Sequence, residues 1–339
     1  MAGEKTVLHV GPVNTRGGMA NTIRIFSENP PDGWCAETLA THTEGSVLAK
    51  FLCWRKARSQ LITRLKQNPP SLVHIHTASD YSWWRKRRVA MICNSFGIPV
   101  VIQIHSGKFH SFCAGKKGTE VSRTCSKKKI QAVVLSDGWA KELQHWLPDA
   151  SVINIPIEEP KDHAVVRESH QLLFMGRNDP VKGAAIAIQA TKGCVSNVKL
   201  VMTGVSENES WLKDEVKSGL VKALGWIPDE EKSLLMQSST MILVPSRFEG
   251  QPAVVLEAMA NGLPVLGSNA IAETVGDAGL VIDSDDAAVW SKEIDRILET
   301  EELGQMSKRG RVLVKKHSLE LILDEWKGLY EELVSETSS

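Results

Sequence analysis

The sequence predicts an α/β protein made of two doubly wound domains, and three observations lead there. At 339 residues the chain is about twice the length of an ordinary domain. Short apolar runs of strand length alternate with stretches whose apolar residues recur at helical spacing. The composition, 42% hydrophobic and 24% charged, is that of a globular chain and excludes a disordered or fibrous one. Buried strands separated by helices form parallel sheets covered on both faces, which is the doubly wound arrangement.

In order, the runs at 6–10, 72–76, 100–104, 132–135 and 152–155 read as strands of a first domain. Those at 171–175, 199–203, 240–244, 263–267 and 279–282 read as strands of a second. Amphipathic stretches at 183–191, 231–237 and 254–261 supply helices between the latter. Pro156, Pro160 and neighbouring acids interrupt both periods at 155–162, which sets the break. The domains expected are therefore 1–157 and 158–317, followed by a terminal segment, 318–339. In that segment Ser318 can cap a helix whose apolar face is Leu319, Ile322, Leu323, Trp326, Leu329, Tyr330 and Leu333.

No apolar run reaches the roughly eighteen residues of a membrane-spanning helix. The opening residues lack a basic region followed by an apolar stretch of signal length, so a cytoplasmic location is expected. The six cysteines, at 35, 53, 93, 113, 125 and 194, form no CxxC pair, which predicts free, packed thiols.

Formal neutrality conceals a strong charge asymmetry. Of 40 basic and 40 acidic residues, 17 basic but only two acidic, Asp80 and Glu120, fall between Lys50 and Lys129. So local an excess implies that the N-terminal half meets something anionic.

In sheets of this kind ligands bind beyond the carboxyl ends of the strands. After the first strand, Gly17-Gly18 precedes a helix, where backbone N–H groups can approach a phosphate; a plain tight turn explains the pair equally well. The spacing is not GxGxxG, which disfavours a dinucleotide site. His74 is expected inside the sheet, His76 and His105 at its rim. In the second domain Arg177 and Lys182 flank a glycine-containing turn that enters a helix, a pattern able to hold a diphosphate from two sides. The most informative segment follows: Pro245-Ser-Arg-Phe-Glu249-Gly250-Gln251-Pro252-Ala253-Val-Val-Leu-Glu257-Ala-Met-Ala-Asn-Gly262-Leu-Pro264-Val265.

On this string the chain resembles the retaining GT-B glycosyltransferases of glycosyltransferase family 4 (glycosyl transferases group 1). Their hallmark is two glutamates separated by seven residues, then Ala-Met-Ala-x-Gly-x-Pro-Val, as at Glu249 and Glu257. The Gly17-Gly18 turn, His105, Gly176-Arg177 with Lys182-Gly183, and Gly225-Trp226-Ile227-Pro228 occur in the family's order. Where many members have Phe-Gly-Leu, this chain has Gln251-Pro252-Ala253, a variant that bears on the sugar.

The resemblance implies two Rossmann-like domains facing across a cleft, the last helix crossing back to the N-terminal one. It gives Glu257 to the ribose hydroxyls of a nucleotide-sugar donor, and Arg177 and Lys182 to its diphosphate. The amides of Gly17 and Gly18 assist, and those around Gly250, Gln251, Pro252 and Ala253 approach the sugar or phosphate. Glu249 contacts the transferred sugar, and His105 sits beside it. No Asp-x-Asp metal motif appears where a donor would bind, so the expectation is transfer with no metal and no other cofactor. The reaction implied is hexosyl transfer with retention of configuration.

Three alternatives are kept: a nucleotide-sugar epimerase, a nucleotide-sugar hydrolase, and a non-catalytic sugar-nucleotide-binding scaffold. Arg85-Lys86, followed by His105, also resembles members that extend lipid-diphosphate-linked glycans for cell-envelope polysaccharides or glycoproteins. That places Arg85, Lys86 and Lys108 near the acceptor's phosphates. The partners expected are a glycan or lipid-linked glycan acceptor and the anionic inner face of the cytoplasmic membrane, held peripherally. Nucleic acid is not expected, because no RNA- or DNA-binding motif accompanies the basic residues.

Overall fold

The computed structural model describes residues 5–163 and 165–336. The chain divides into two compact units: Met1–Pro156 with Leu319–Ser339, and Ile157–Ser318. In the first unit the strands are β1 (Lys5–Gly11), β2 (Trp34–Ala40), β3 (Leu72–Thr77), β4 (Val100–Ile104), β5 (Ile130–Val134) and β6 (Ser151–Val152). They form one parallel sheet in the order β2-β1-β3-β4-β5-β6. The second unit has β7 (Gln171–Met175), β8 (Lys199–Thr203), β9 (Val221–Ala223), β10 (Met241–Val244), β11 (Val265–Gly267) and β12 (Leu280–Val281). Its sheet, also parallel, runs β12-β11-β10-β7-β8-β9. Each sheet grows outward from its first strand, so the order reverses between β1 and β3 and between β7 and β10. At such a reversal the flanking helices leave on opposite faces and open a crevice at the strands' carboxyl ends.

Two strands lay outside the sequence reading, and both are edges. β2 carries Glu37 and Thr38 exposed, and Glu37 pairs with Arg64 at 2.9 Å, so an apolar run is absent. β9 is three residues long with Lys222 exposed. The inner strands read clearly because both faces are covered: β3, β4 and β10 are buried at every residue.

Strand alternation gives the first sheet two different faces. Leu8, Val10, Val73, Ile75, Val100, Ile102 and Ile104 pack under the helices on one side. Val7, Leu72, Val101 and Val133 face the other, with Phe26 and Trp34 and with Ile322, Trp326 and Tyr330 of the helix Leu319–Ser335. The last helix thus packs on the N-terminal unit, as expected, and its apolar stripe is part of that unit's core.

His9, His74 and His76 alternate onto that same face and are fully buried. The rim position expected for His76 is incorrect, because β3 extends one residue further to Thr77 and β4 covers its flank. The phenol of Tyr330 lies 2.6 Å from Nδ1 of His74, and the Trp326 ring is 4.4 Å from the His74 ring.

Trp326, 1% exposed, should therefore be a major contributor to the first unit's stability. Trp326→Ala is expected to cost about 3–5 kcal/mol in urea unfolding. Leu321→Ala, on the exposed side of the same helix, should stay within roughly 0.5 kcal/mol of the parent. Equal losses would show that the helix stripe is not a core element.

Candidate functional site

In the second unit the loops after β7 and β10 meet where the strand order reverses. Gly183 makes this possible: its φ is +72°, and a Cβ there would collide with the Pro245 carbonyl oxygen. A backbone bond from Arg247 N to Val181 O, 2.8 Å, ties the loops together. Gly204, at φ +77°, likewise lets the chain after β8 pass against Gly176 and Arg177. Asp179 shapes the turn between Arg177 and Lys182 by accepting from Val181 N at 3.0 Å.

Lys182 and Glu249, 67 residues apart, meet here: Nζ lies 2.7 Å from Oε1, with the glutamate side chain only 9% exposed. Two helices begin beside them, Ala184–Gly193 after Gly183 and Ala253–Ala260 after Pro252. Neither N-terminus carries a side-chain cap, so their first N–H groups are available to an anion. Gly250 and Gln251 are half-buried and Pro252 is buried in the loop that leads into the second helix. Arg177 is exposed at the end of β7.

Glu257 lies in the second turn of the helix Ala253–Ala260. Its Oε1 accepts from Nζ of Lys232 at 3.0 Å, and Lys232 also reaches Asp229 at 3.1 Å. Burial raises the Glu257 carboxyl above its ordinary range, and the Lys232 ammonium opposes that rise. Burial would lower the Lys232 ammonium, but the Glu257 and Asp229 carboxylates outweigh it and raise its pKa. The two glutamates of the string therefore each hold a different lysine. Lys232 escaped the sequence reading because its partner lies 25 positions away. The one local hint was Asp229 three residues before it on the helix Asp229–Ser238.

In the first unit Gly17 takes φ +128° and caps the helix Gly18–Glu28, while Gly18 is exposed with open space around its Cα. A line of imidazoles reaches from the buried face toward the end of β4. Nδ1 of His9 is 3.1 Å from Nε2 of His76, Nδ1 of His76 is 3.1 Å from Nε2 of His105, and that nitrogen is 3.1 Å from Oε1 of Gln103. Burial holds His9 and His105 down to about 3, and His74 and His76 well below their ordinary value. All four rings are neutral at physiological pH, so each has one donor and one acceptor nitrogen. His9, His74 and His76 also have ligand nitrogens within 4.8 Å of one another. They lie on the face opposite Val73 and Ile75, all three against Phe26 and His74 also against Trp326 and Tyr330.

Arg85 and Lys86 stand on the helix Tyr81–Ser95. Lys86 is 1% exposed, and its ammonium makes no ion pair or hydrogen bond among the described residues. Nε of Arg85 and Nδ1 of His42 are buried without partners. The three groups repel one another electrostatically: His42 is lowered by burial and then by Arg85, Lys50 and Lys86. Two buried nitrogens without partners, beside the Lys86 ammonium, gather uncompensated positive charge at one place. His42 was not legible as a member, lying as it does in the loop after an unrecognised strand. Lys108 is exposed at the start of a short helix after β4.

Burial first, and then Arg85, push Lys86 down to about 7. Because the folded value lies below the ordinary 10.5, the unfolded chain binds the extra proton between those limits. Lys86 therefore costs stability most at and below pH 7, and the cost fades as pH rises toward 10.5. Lys86→Met should stabilise the protein by on the order of 1–4 kcal/mol at neutral pH. Urea titrations should show this gain shrinking with alkalinity. A gain that does not vary with pH would mean that charge is not its source.

Comparison with known proteins agrees with the geometry of the second unit. Residues 157–312 match the sequence model of the family described as glycosyl transferases group 1. O-antigen chain mannosyltransferase B of Escherichia coli is 36% identical over 160 residues, 44% of this chain and 42% of that protein. The matched stretches span about half the length, or less, of such relatives. Sucrose-phosphate synthase of Thermosynechococcus elongatus superimposes with a TM-score of 0.80 at 17% identity, covering 98% of this chain and 100% of the other. Anabaena HepE in complex with UDP and glucose gives 0.72 at 15% identity over 97% of this chain and all of that one. The chain has the GT-B fold, and its residues 157–312 match the sequence model of the glycosyl transferases group 1.

Proposed function

We propose that this chain is a glycosyltransferase that moves a hexose-type sugar from a nucleotide-sugar to a glycan acceptor, with retention and without a metal. The observation that carries the reading is the meeting of Lys182 and Glu249 at the strand reversal, beside two uncapped helix N-termini. Breaking the anomeric bond leaves positive charge on the sugar and an added negative charge on the diphosphate. Lys182, Arg177 and the helix amides are suited to the leaving group, a preorganised set of positive charge and dipoles. Glu249 suits the cationic sugar as a ligand and electrostatic stabiliser. In the proposed step the anomeric carbon–oxygen bond to the diphosphate breaks and a bond to the acceptor oxygen forms on the same face. The acceptor's proton passes to the departing phosphate, so no carboxylate nucleophile is required. Glu257, held by Lys232, is assigned to the ribose hydroxyls. His105, a neutral imidazole, is suited to hydrogen bonding with a sugar hydroxyl.

The first unit is assigned the acceptor. The uncompensated charge of Arg85, Lys86 and His42 supports an acceptor bearing phosphate, such as a lipid-linked glycan of cell-envelope polysaccharide synthesis, and Lys108 is assigned to the same acceptor. A relative named for O-antigen mannosyl transfer and a structural neighbour holding UDP and glucose support the same direction. On this reading the protein works at the anionic inner face of the cytoplasmic membrane. Among the described residues no helix is long and apolar enough to cross one.

A panel of labelled nucleotide-sugars, with and without lipid-linked or simple glycan acceptors, tests the proposal. Acceptor-dependent transfer that survives EDTA is the expected result. Conversion without acceptor would indicate an epimerase or hydrolase, binding without turnover a scaffold, and loss in EDTA restored by Mg²⁺ a metal-dependent route.

The two lysine–glutamate pairs should also separate by function. Glu257→Ala should weaken donor binding in calorimetry by about 1.5–3 kcal/mol, the value of hydrogen bonds to a charged group. Lys182→Ala should instead lower kcat more than it raises KM, because its partner gains charge only in the transition state. An unchanged kcat would remove Lys182 from the leaving-group role.

A further inference from the structure

We propose that the first two turns of the helix Val47–Gln67 insert shallowly into an anionic lipid surface, an inference that rests on the reading of a membrane-borne acceptor. The helix starts at Ser46, whose hydroxyl accepts from Ala49 N at 3.2 Å, and its later turns bury Ala57, Leu61 and Leu65 against the first unit. The first two turns reach past that contact. Val47 is 84% exposed, Leu48 65%, and Phe51 and Leu52 53% each. Residues four apart on a helix are neighbours, so Val47 with Phe51 and Leu48 with Leu52 make one continuous apolar surface. Nothing in the core calls for apolar side chains here, and a contiguous patch of this kind marks an interaction site.

The charges around the patch say what it meets. The helix contains no acidic residue, and Lys50, Arg55, Lys56 and Arg58 are exposed on it. The Arg55 guanidinium lies 6.0 Å from the Phe51 ring centroid, an apolar ring with a cation immediately behind it. Large apolar side chains backed by Lys and Arg are the chemistry of an interfacial helix at an anionic bilayer. There the apolar groups enter the acyl boundary and the cations stay with the headgroups. The patch also lies where a lipid-borne substrate would arrive. Cys53, next to Leu52, is within electrostatic reach of Arg85 and Lys86, and Lys50 is within reach of His42. A lipid phosphate held by these groups would stand beside the plane that the four apolar residues enter.

The test is co-sedimentation of the full chain with vesicles of phosphatidylcholine, alone or mixed with phosphatidylglycerol, at low and high salt. One variant carries Leu48→Ser, Phe51→Ser and Leu52→Ser; a second carries Arg55→Ser, Lys56→Ser and Arg58→Ser. All six positions are outside the core, so both variants should melt near the parent temperature. The parent should bind the mixed vesicles, more weakly in high salt. The apolar variant should lose about tenfold or more of that binding at either salt, since each buried methylene contributes to insertion. The charge variant should lose its advantage for phosphatidylglycerol. Absence of parent binding, or equal binding by the apolar variant, overturns the proposal. So does a parent dimer in sedimentation velocity that the apolar variant abolishes, because the patch would then join two copies of the chain. Activity on a soluble acceptor should be the same in parent and apolar variant. If the parent transfers to neither a soluble nor a lipid-linked acceptor while vesicle binding behaves as described, the transferase reading fails and the lipid contact stands.

Discussion

Where β7 and β10 part, the helices that follow them rise from one crevice, and their loops can touch only because position 183 has no side chain. With the Pro245 carbonyl against Gly183, the backbone bond from Arg247 to Val181 closes and Lys182 reaches Glu249. Gly204 performs the same service for the turn that carries Arg177. A methyl group at either glycine would separate segments that meet only through the fold, Gly183 from Pro245 and Gly204 from Gly176. It would separate the charges with them. The polar chemistry of the second unit is thus set by two places where backbone meets backbone.

The two units handle buried charge in opposite ways. In the second, each glutamate of the string from Pro245 to Val265 is neutralised by a lysine from another element, so its charges are compensated. In the first, Lys86 and Arg85 have no acid beside them, and the imidazoles near them are kept neutral. Compensated pairs tolerate an empty site, because each member satisfies the other, and a ligand can exchange places with one of them. An uncompensated buried cation is costly until an anion arrives. The first arrangement suits a ligand of mixed charge such as a sugar diphosphate, and the second suits a plain anion.

Much of this was readable in the sequence, and the exceptions share a cause. The central strands declare themselves through apolar runs because both of their faces are covered. The edges β2 and β9 do not, since one flank meets water and takes Glu37 or Lys222. His76 seemed to end its strand, but one more residue of pairing with β4 encloses it. The string from Pro245 to Val265 could be read because its chemistry is local: one loop, one helix, one turn. Lys232 and His42 complete sites whose other members lie 25 to 44 residues away, and no spacing rule links them. Local grammar revealed the fold and half of each cluster, and tertiary contact supplied the rest.

The helix Leu319–Ser335 gives the first unit Ile322, Trp326 and Tyr330 from the far end of the chain. While the protein is being made, β1 through β6 leave the ribosome long before those side chains exist. Until then one face of their sheet lacks the cover of Trp326 and Tyr330 over His74, with Phe26 and Trp34 alone on it. The second unit lies wholly between the two parts of the first and can close on itself in the meantime. The core of the first unit therefore cannot be complete until the helix Leu319–Ser335, which follows the whole second unit in the chain, has been made.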